Sequence, residues 1–414
     1  MSDVVDLGPA APQFPTAPAV AEAILKAAHA SSFRYTRPGA HYVEAAAAWQ
    51  RDRHGWNVDA ADALFIPKTT HLMTALINAG PTFYELAGGS EDRSPMSAAA
   101  AMEMGAPREV VLGRAQQEAD SRVEATADNG VERAPVIVAL SPTYGRVAQM
   151  LQRSGAELRL VRMEDFGGRL RINWPALENA MIGADYLWWI NPHNPTGRIF
   201  SEDELKKVGY LAEIYRVTVI SDDIHADFAR TERPYIPMAK ACPFLFEAGR
   251  LIHTASPTIT FAMSGIEAAV VFARGKAREN IEAAKSRLSL STASYFAQPA
   301  AIAAWRDGGA YVDQIAATVA QNQRDVAAYL REHLPVTEVA DADGSMLLWF
   351  NAGPYLEPDA DLSARCAAAG VSVTPGGQFG ETWQSWIRLS LALPHEDAME
   401  GARRLVLALT NRAV

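Results

Sequence analysis

Tyr186-Leu-Trp-Trp-Ile190 is an unbroken apolar run that stops abruptly at Asn191-Pro-His-Asn-Pro-Thr-Gly197. A short apolar run bounded by turn residues reads as a strand buried on both faces. Ser201-Glu-Asp-Glu204 has the spacing of a capping box, so a helix starts as the loop ends. That helix leads to a second apolar run, Val217-Thr-Val-Ile220, which ends in Ser221-Asp-Asp-Ile-His225. Strand, polar loop, helix and strand in this order make a βαβ unit, whose parallel sheet must be covered on both faces. Ligands of such sheets bind beyond the carboxyl ends of the strands, so the two polar tips are where function is expected.

The rest of the chain repeats this design. Ala63–Ile66 is a short strand feeding Pro67-Lys-Thr-Thr-His71, and Leu72–Ile77 begins a helix. Lys68 with the hydroxyls of Thr69 and Thr70 at a helix start is either an anion seat or a cap beside a solvated lysine. Pro135–Leu140 is a buried strand with the tip Ser141-Pro-Thr-Tyr144, and Leu158–Val161 and Leu251–Ala255 are further strands. Ala19–Ala30 and a stretch ending at Gly55, a plausible C-cap, read as helices. So do Met96–Met104, Glu118–Thr126, Lys276–Asp307 and Tyr311–Leu334, while Asp128-Asn-Gly130 reads as a turn. Strand-like Ser345–Phe350, Val371–Val373 and Trp386–Leu391 suggest a second, smaller α/β subdomain. Pro9, Pro12, Pro15 and Pro18 make the first 18 residues an extended arm, either disordered or laid across another subunit.

Composition narrows the function classes. The formal net charge is -10 and no long Lys/Arg run occurs, which argues against a nucleic-acid or anionic-membrane partner. No apolar stretch reaches the roughly 18 to 20 residues of a membrane helix, and the N-terminus lacks the pattern of an export signal. Cys242 and Cys366 lie far apart without metal-type spacing, so they read as small buried hydrophobes in a reduced, cytoplasmic protein. No metal site is expected.

Asn191-Pro-His-Asn-Pro-Thr-Gly197 together with Ser221-Asp-Asp-Ile-His225 resembles the fold-type-I pyridoxal-phosphate enzymes, the class I/II aminotransferase superfamily. Phe33-Arg-Tyr-Thr-Arg-Pro38, Trp49 to Trp56 and the Asn-Pro-His-Asn-Pro loop look most similar to its cystathionine β-lyase (C–S lyase) branch. The resemblance runs from about residue 15 to the end apart from 80–133, which is longer than the family's connection and reads as an insertion. It implies an α/β fold: a three-layer α/β/α large domain at 46–295 and a smaller C-terminal α/β domain at 296–414, preceded by an arm and helix at 1–45. It also implies roles. Asp222 would pair with the protonated ring nitrogen of the cofactor, Asn194 would bond its 3-oxygen and Tyr144 would stack on the ring. Thr69 and Thr70 would seat the phosphate, Ser256 and Thr258 would also bind the cofactor, Arg388 would clamp a substrate carboxylate and His225 would stand beside the ring. Tyr35 would reach into a neighbouring subunit, which implies a homodimer with shared sites.

Two positions break the pattern. The family's covalently linked lysine lies in a segment like Ser-Pro-Ser-Lys-Thr-Phe-Asn-x-Ala-Gly, and the matching segment is Ser256-Pro-Thr-Ile-Thr-Phe-Ala-Met-Ser-Gly265. The lysine position is Ile259, whose side chain has no amine to link to a cofactor or to carry a proton. Lys68 stands where the phosphate loop usually has Gly, and it would add charge to the seat, replace the missing amine or fill the seat. Three readings follow. The first is an enzyme of amino-acid or small-carboxylate chemistry that keeps pyridoxal or pyridoxamine phosphate non-covalently. The second is an enzyme working without that cofactor on the same scaffold, and the third is a non-catalytic relative that binds a ligand or partner.

Overall fold

The structure is a computed structural model that describes residues 4–30, 32–78, 95–121, 134–230, 232–356 and 361–410. Its centre is a seven-stranded sheet. In chain order the strands are β2 (Ala63–Ile66), β3 (Val136–Ser141), β4 (Glu157–Arg162), β7 (Tyr186–Ile190), β8 (Thr218–Asp222), β9 (Leu251–Ala255) and β10 (Ala269–Phe272). They lie in the order β2-β10-β9-β8-β7-β3-β4. All neighbours are parallel except β10, which runs antiparallel to both β2 and β9.

The apolar run of β7 explains itself here. Leu187 and Trp189 pack into the core on one face, whereas Tyr186, Trp188 and Ile190 pack into the core on the other. A strand covered on both faces has no solvent side, so the sequence loses the alternation of a half-exposed strand. The helix Glu202–Ile214 that follows carries the expected capping box at Ser201 and Glu204. The helix Ala40–His54 ends at Gly55, which takes the left-handed conformation with φ 64°.

The C-terminal part forms a four-stranded antiparallel sheet of β11 (Glu338–Val339), β12 (Leu347–Asn351), β15 (Trp386–Ser390) and β14 (Thr374–Pro375). Helices Gly309–His333, Leu362–Ala368 and His395–Thr410 contribute to a separate core beneath it. A small hairpin, β5 (Glu164–Phe166) with β6 (Arg169–Arg171), projects after β4.

Several expectations change. The arm is ordered over its described residues and pairs with its own chain. Its β1 (Val5–Asp6) pairs in parallel with β13 (Val371–Ser372) of the same chain, because Leu7 buries its side chain completely in the small-domain core. The sequence reading has no strand at β10, whose four residues Ala269–Phe272 are a short apolar run within a longer apolar stretch. The helical stretch 276–307 is two helices, Gly275–Arg287 and Ala297–Asp307, with Ser289 in the left-handed region at φ 55° between them. In the 80–133 region, Ser97 caps a helix at Ala98–Glu103, and a second helix spans Arg108–Ser121, ten residues ahead of the expected start at Glu118. That helix packs against Ala98–Glu103 and beside Glu202–Ile214. Residues 79–94 and 122–133, including the expected Asp128-Asn-Gly130 turn, lie outside the described residues.

The two domains meet closely behind Tyr144. Gly145 begins the helix Gly145–Arg153, and a Cβ there would sit 1.5 Å from the Gln378 carbonyl oxygen. Thr143 N–H donates to Phe379 O at 3.1 Å in the same contact. Gly145→Ala is therefore expected to destabilise the protein by about 1 to 3 kcal/mol, the cost of overpacking a tight contact. Denaturant unfolding measures this, and an unchanged midpoint would show that the contact is not tight.

Candidate active site

The carboxyl ends of β3, β7, β8 and β9 surround a cavity of about 230 Å³. Both tips of the βαβ unit reach it, through Asn194 on one side and Asp222 and His225 on the other. Tyr144 lines it from the start of the helix after β3, and Lys68, Thr69 and Thr70 from the start of the helix after β2. Ser256, Thr258 and Ile259 complete the wall beyond β9. Ten sequence-predicted residues from five stretches thus converge. Two do not. Arg388 stands behind Asn194 and Tyr35 lies outside the cavity, 99% exposed. None of residues 95–121 lines it.

The Asn191–Gly197 loop holds its shape through its own bonds. His193 Nδ1 and Thr196 Oγ1 are 2.9 Å apart, Gly197 N–H donates to His193 O at 2.7 Å, and Asn191 N–H donates to Asp222 O at 3.1 Å. Burial, reinforced by Arg198, pushes the His193 imidazole down to about 3, so it serves as a neutral structural group. Gly197 adopts φ 70°, and its carbonyl accepts N–H bonds from Asp343 and Gly344 at 2.9 Å each. This contact carries Ser345 into place, where its Oγ lies 3.2 Å from His225 Nδ1. Burial, with Arg388 nearby, pushes His225 down to about 3, so its ring is neutral.

Asp222 is the electrostatic centre of the cavity. The Trp188 indole N–H donates to its Oδ2 at 3.4 Å, whereas the buried Oδ1 has no hydrogen-bond partner among the described residues. Burial pushes this carboxyl up to about 6 against the opposing pull of the Trp188 indole and the Ile224 backbone N–H. A buried carboxylate oxygen without a donor costs free energy, and a cationic N–H group in the cavity would repay it. At the other end, Ser256 caps the turn Pro257–Thr260 by accepting from Thr258 N–H at 3.3 Å, and its hydroxyl lies 2.8 Å from Thr258 Oγ1. These hydroxyls and the helix start at Thr69 make a polar end suited to an anion. Lys68 stands at the rim, where its Nζ pairs with Glu267 Oε1 at 2.8 Å and holds that carboxyl below its usual range. An open carboxylate oxygen, an aromatic wall and an anion seat match the needs of pyridoxal phosphate, while the apolar Ile259 side chain offers no covalent anchor.

Sequence reasoning missed Trp188, Ser264, Glu267, Ser345 and Ala10 around this cavity. Trp188 belongs to an apolar strand and shows no polar signal, and Ala10 arrives from a distant arm.

The Asp222 environment makes a signed prediction. The native carboxyl binds a proton up to about pH 6, but an unfolded one releases it near pH 4. Stability should therefore fall as pH rises through that window, by about 3 kcal/mol in all. Asp222→Asn, neutral at every pH, should gain on the wild type by that amount between pH 4 and 7.5 in cofactor-free denaturation. A pH-independent difference would contradict the buried, unpaired state of Asp222.

Comparison with known proteins agrees with this geometry. Residues 98–405 match the family described as aminotransferase class I and II. The chain is 25% identical over 414 residues to cystathionine beta-lyase PatB of Bacillus subtilis, covering 99% of this chain and 94% of that one. It is 28% identical over 224 residues to protein MalY of Escherichia coli, covering 53% and 56% of the two chains. Among solved structures, the fold matches cystalysin from Treponema denticola, which contains pyridoxal 5'-phosphate, with a TM-score of 0.81 and 18% identity over 99% and 92% of the chains. The PLP-bound C-S lyase from Staphylococcus hominis matches with a TM-score of 0.79 and 20% identity over 98% and 91%. With its sheet order, its cavity and most of its length in agreement, the chain belongs to the class I and II aminotransferase family, within the fold-type-I pyridoxal-phosphate superfamily.

Proposed function

We propose that this chain is an aminotransferase-like or C–S lyase-like enzyme of amino-acid chemistry that holds pyridoxal or pyridoxamine phosphate without a covalent lysine link. The observation that carries the reading is the buried Asp222 Oδ1, which lacks a donor in a cavity shaped around it. Asp222 would receive the ring N–H, Asn194 the 3-oxygen and Tyr144 the ring face. Thr69, Thr70, Ser256 and Thr258 would hold the phosphate, with Lys68 adding charge at the rim. When bound, the group supplies an electron-withdrawing ring that stabilises negative charge on a substrate carbon.

The chain's own residues do the rest. Arg388 and Asn194 orient a carboxylate, and His225, held neutral by burial and oriented by the Ser345 hydroxyl at its Nδ1, presents a hydrogen-bonding group to the cavity. Ile259 and the apolar walls Val147, Ile190 and Ile224 exclude water. The reading includes a homodimer with shared sites, supported by the exposure of Tyr35 and Phe33, and a cytoplasmic setting, supported by two buried free thiols. No helix among the described residues is long and apolar enough to cross a membrane.

One observation favours a second reading. The Lys68–Glu267 pair already balances the charge at the phosphate end, as it would in an enzyme that works on a small carboxylate without the cofactor.

Two substitutions test the proposal. Ile259→Lys restores an amine at the cavity wall, and with pyridoxal phosphate it should give a yellow, covalently linked protein whose colour borohydride discharges. A colourless variant would favour the second reading. Arg388→Ala should weaken binding of an amino-acid carboxylate by about 2 to 4 kcal/mol, because a buried charged partner is left unpaired. Unchanged affinity in calorimetry would remove Arg388 from the site.

A further inference from the structure

Arg388 is a buried cation whose neighbours are neutral oxygens. It is 3% exposed, and among the described residues no carboxylate lies within ion-pairing distance. Its Nη2 donates to the Gly8 carbonyl at 2.7 Å and to Thr374 Oγ1 at 3.0 Å, and its Nη1 donates to Asn194 Oδ1 at 3.4 Å. Among the described residues its Nε has no acceptor. Neutral oxygens thus satisfy part of a charge that has been taken out of water, an arrangement that an incoming anion improves.

The segment that supplies Gly8 crosses the cavity from one domain to the other. On the small domain, Leu7 N–H donates to Ser372 O at 2.9 Å and Ser390 N–H donates to Leu7 O at 2.8 Å. Ala10 then forms part of the cavity wall, and Gln13 N–H donates to Ala392 O at 2.8 Å. At the far end Thr16 Oγ1 donates to Ala262 O at 2.7 Å and the Tyr311 hydroxyl to Pro15 O at 2.8 Å. Ala10, Phe14 and Ile259 all pack against one apolar cluster that includes Phe228 and Leu347. Ile259 therefore helps to seat the same segment whose Gly8 occupies Arg388.

We propose that residues 8–10 are a displaceable wall of the ligand site, in which the Gly8 carbonyl holds Arg388 Nη2 until a ligand carboxylate takes over those N–H groups. The inference rests on the reading that this cleft accepts a carboxylate. The exchange is chemically balanced. The Gly8 carbonyl also accepts from Thr374 Oγ1 at 2.7 Å, so it keeps one donor after Arg388 leaves. Arg388 trades a neutral acceptor for a charged one, a bond roughly twice as strong. Leu7, buried in the small-domain core, and Phe14 and Thr16 stay seated, so the loosening is confined to residues 8–13.

Hydrogen exchange on the full-length protein tests this with acetate as the probe, against chloride at equal ionic strength. In the wild type, acetate should speed exchange at the Gly8, Ala11 and Gln13 amides several-fold while Leu7, Ser390 and the large-domain sheet stay unchanged. Arg388→Met should show fast exchange at those amides already in chloride, with no further response to acetate. Thr374→Val, which keeps the charge and removes one holder of Gly8, should respond to acetate more strongly than the wild type. Equal exchange in acetate and chloride, or a response that survives in Arg388→Met, would overturn the proposal. Retention of pyridoxamine phosphate on desalting the same wild-type sample reports on the functional reading by itself, so either idea can fail alone.

Discussion

A buried carboxylate with one oxygen unbonded is what the rest of this site is built around. Asp222 ends a strand that is covered on both faces, and its position is set by the neighbouring strand tip through Asn191 N–H and the Trp188 indole. Burial alone drives its carboxyl towards the neutral form, and no donor among the described residues relieves Oδ1. Such a group is tolerated where a ligand completes it. The seven-stranded sheet makes this possible, because only a strand end inside the molecule can present a carboxylate to a cavity rather than to water.

The cavity depends equally on contacts from far along the chain. The Gly197 carbonyl receives Asp343 and Gly344, and through them Ser345 reaches His225. The small domain also supplies Arg388 and Thr374, and the N-terminal segment reaches back to both. Asp222 and the hydroxyls at Ser256 and Thr258 belong to the large domain and, in the proposed reading, form a cradle for a flat, anionic cofactor. Arg388 and Gly8 belong to the side where the two domains and the arm meet. Ile259 lies between these halves and packs with the arm, so the residue that removes the covalent anchor also contributes to the wall.

Much of this was legible in the sequence. The apolar run 186–190, the capping box at Ser201 and the left-handed Gly55 each follow from local physics, and the structure has them where expected. The order of the motifs pointed to the family and to ten of the residues that line the cavity. What could not be read depends on distant pairing. β10 is a strand because two neighbours bond it, and the arm is ordered because Leu7 finds the small-domain core. The occupation of Arg388 by Gly8 joins residues 380 positions apart, a separation at which no local pattern carries information.

The central claim is a retained cradle without its covalent anchor. Wild-type protein equilibrated with pyridoxamine phosphate, and separately with pyridoxal phosphate, then desalted and treated with borohydride, tests it most directly when the intact mass is measured. The account predicts cofactor retained in near-stoichiometric amount, released on denaturation, with no mass gain on the chain. Failure to retain either form, or a mass gain marking a covalent link to Lys68 or another amine, would contradict it.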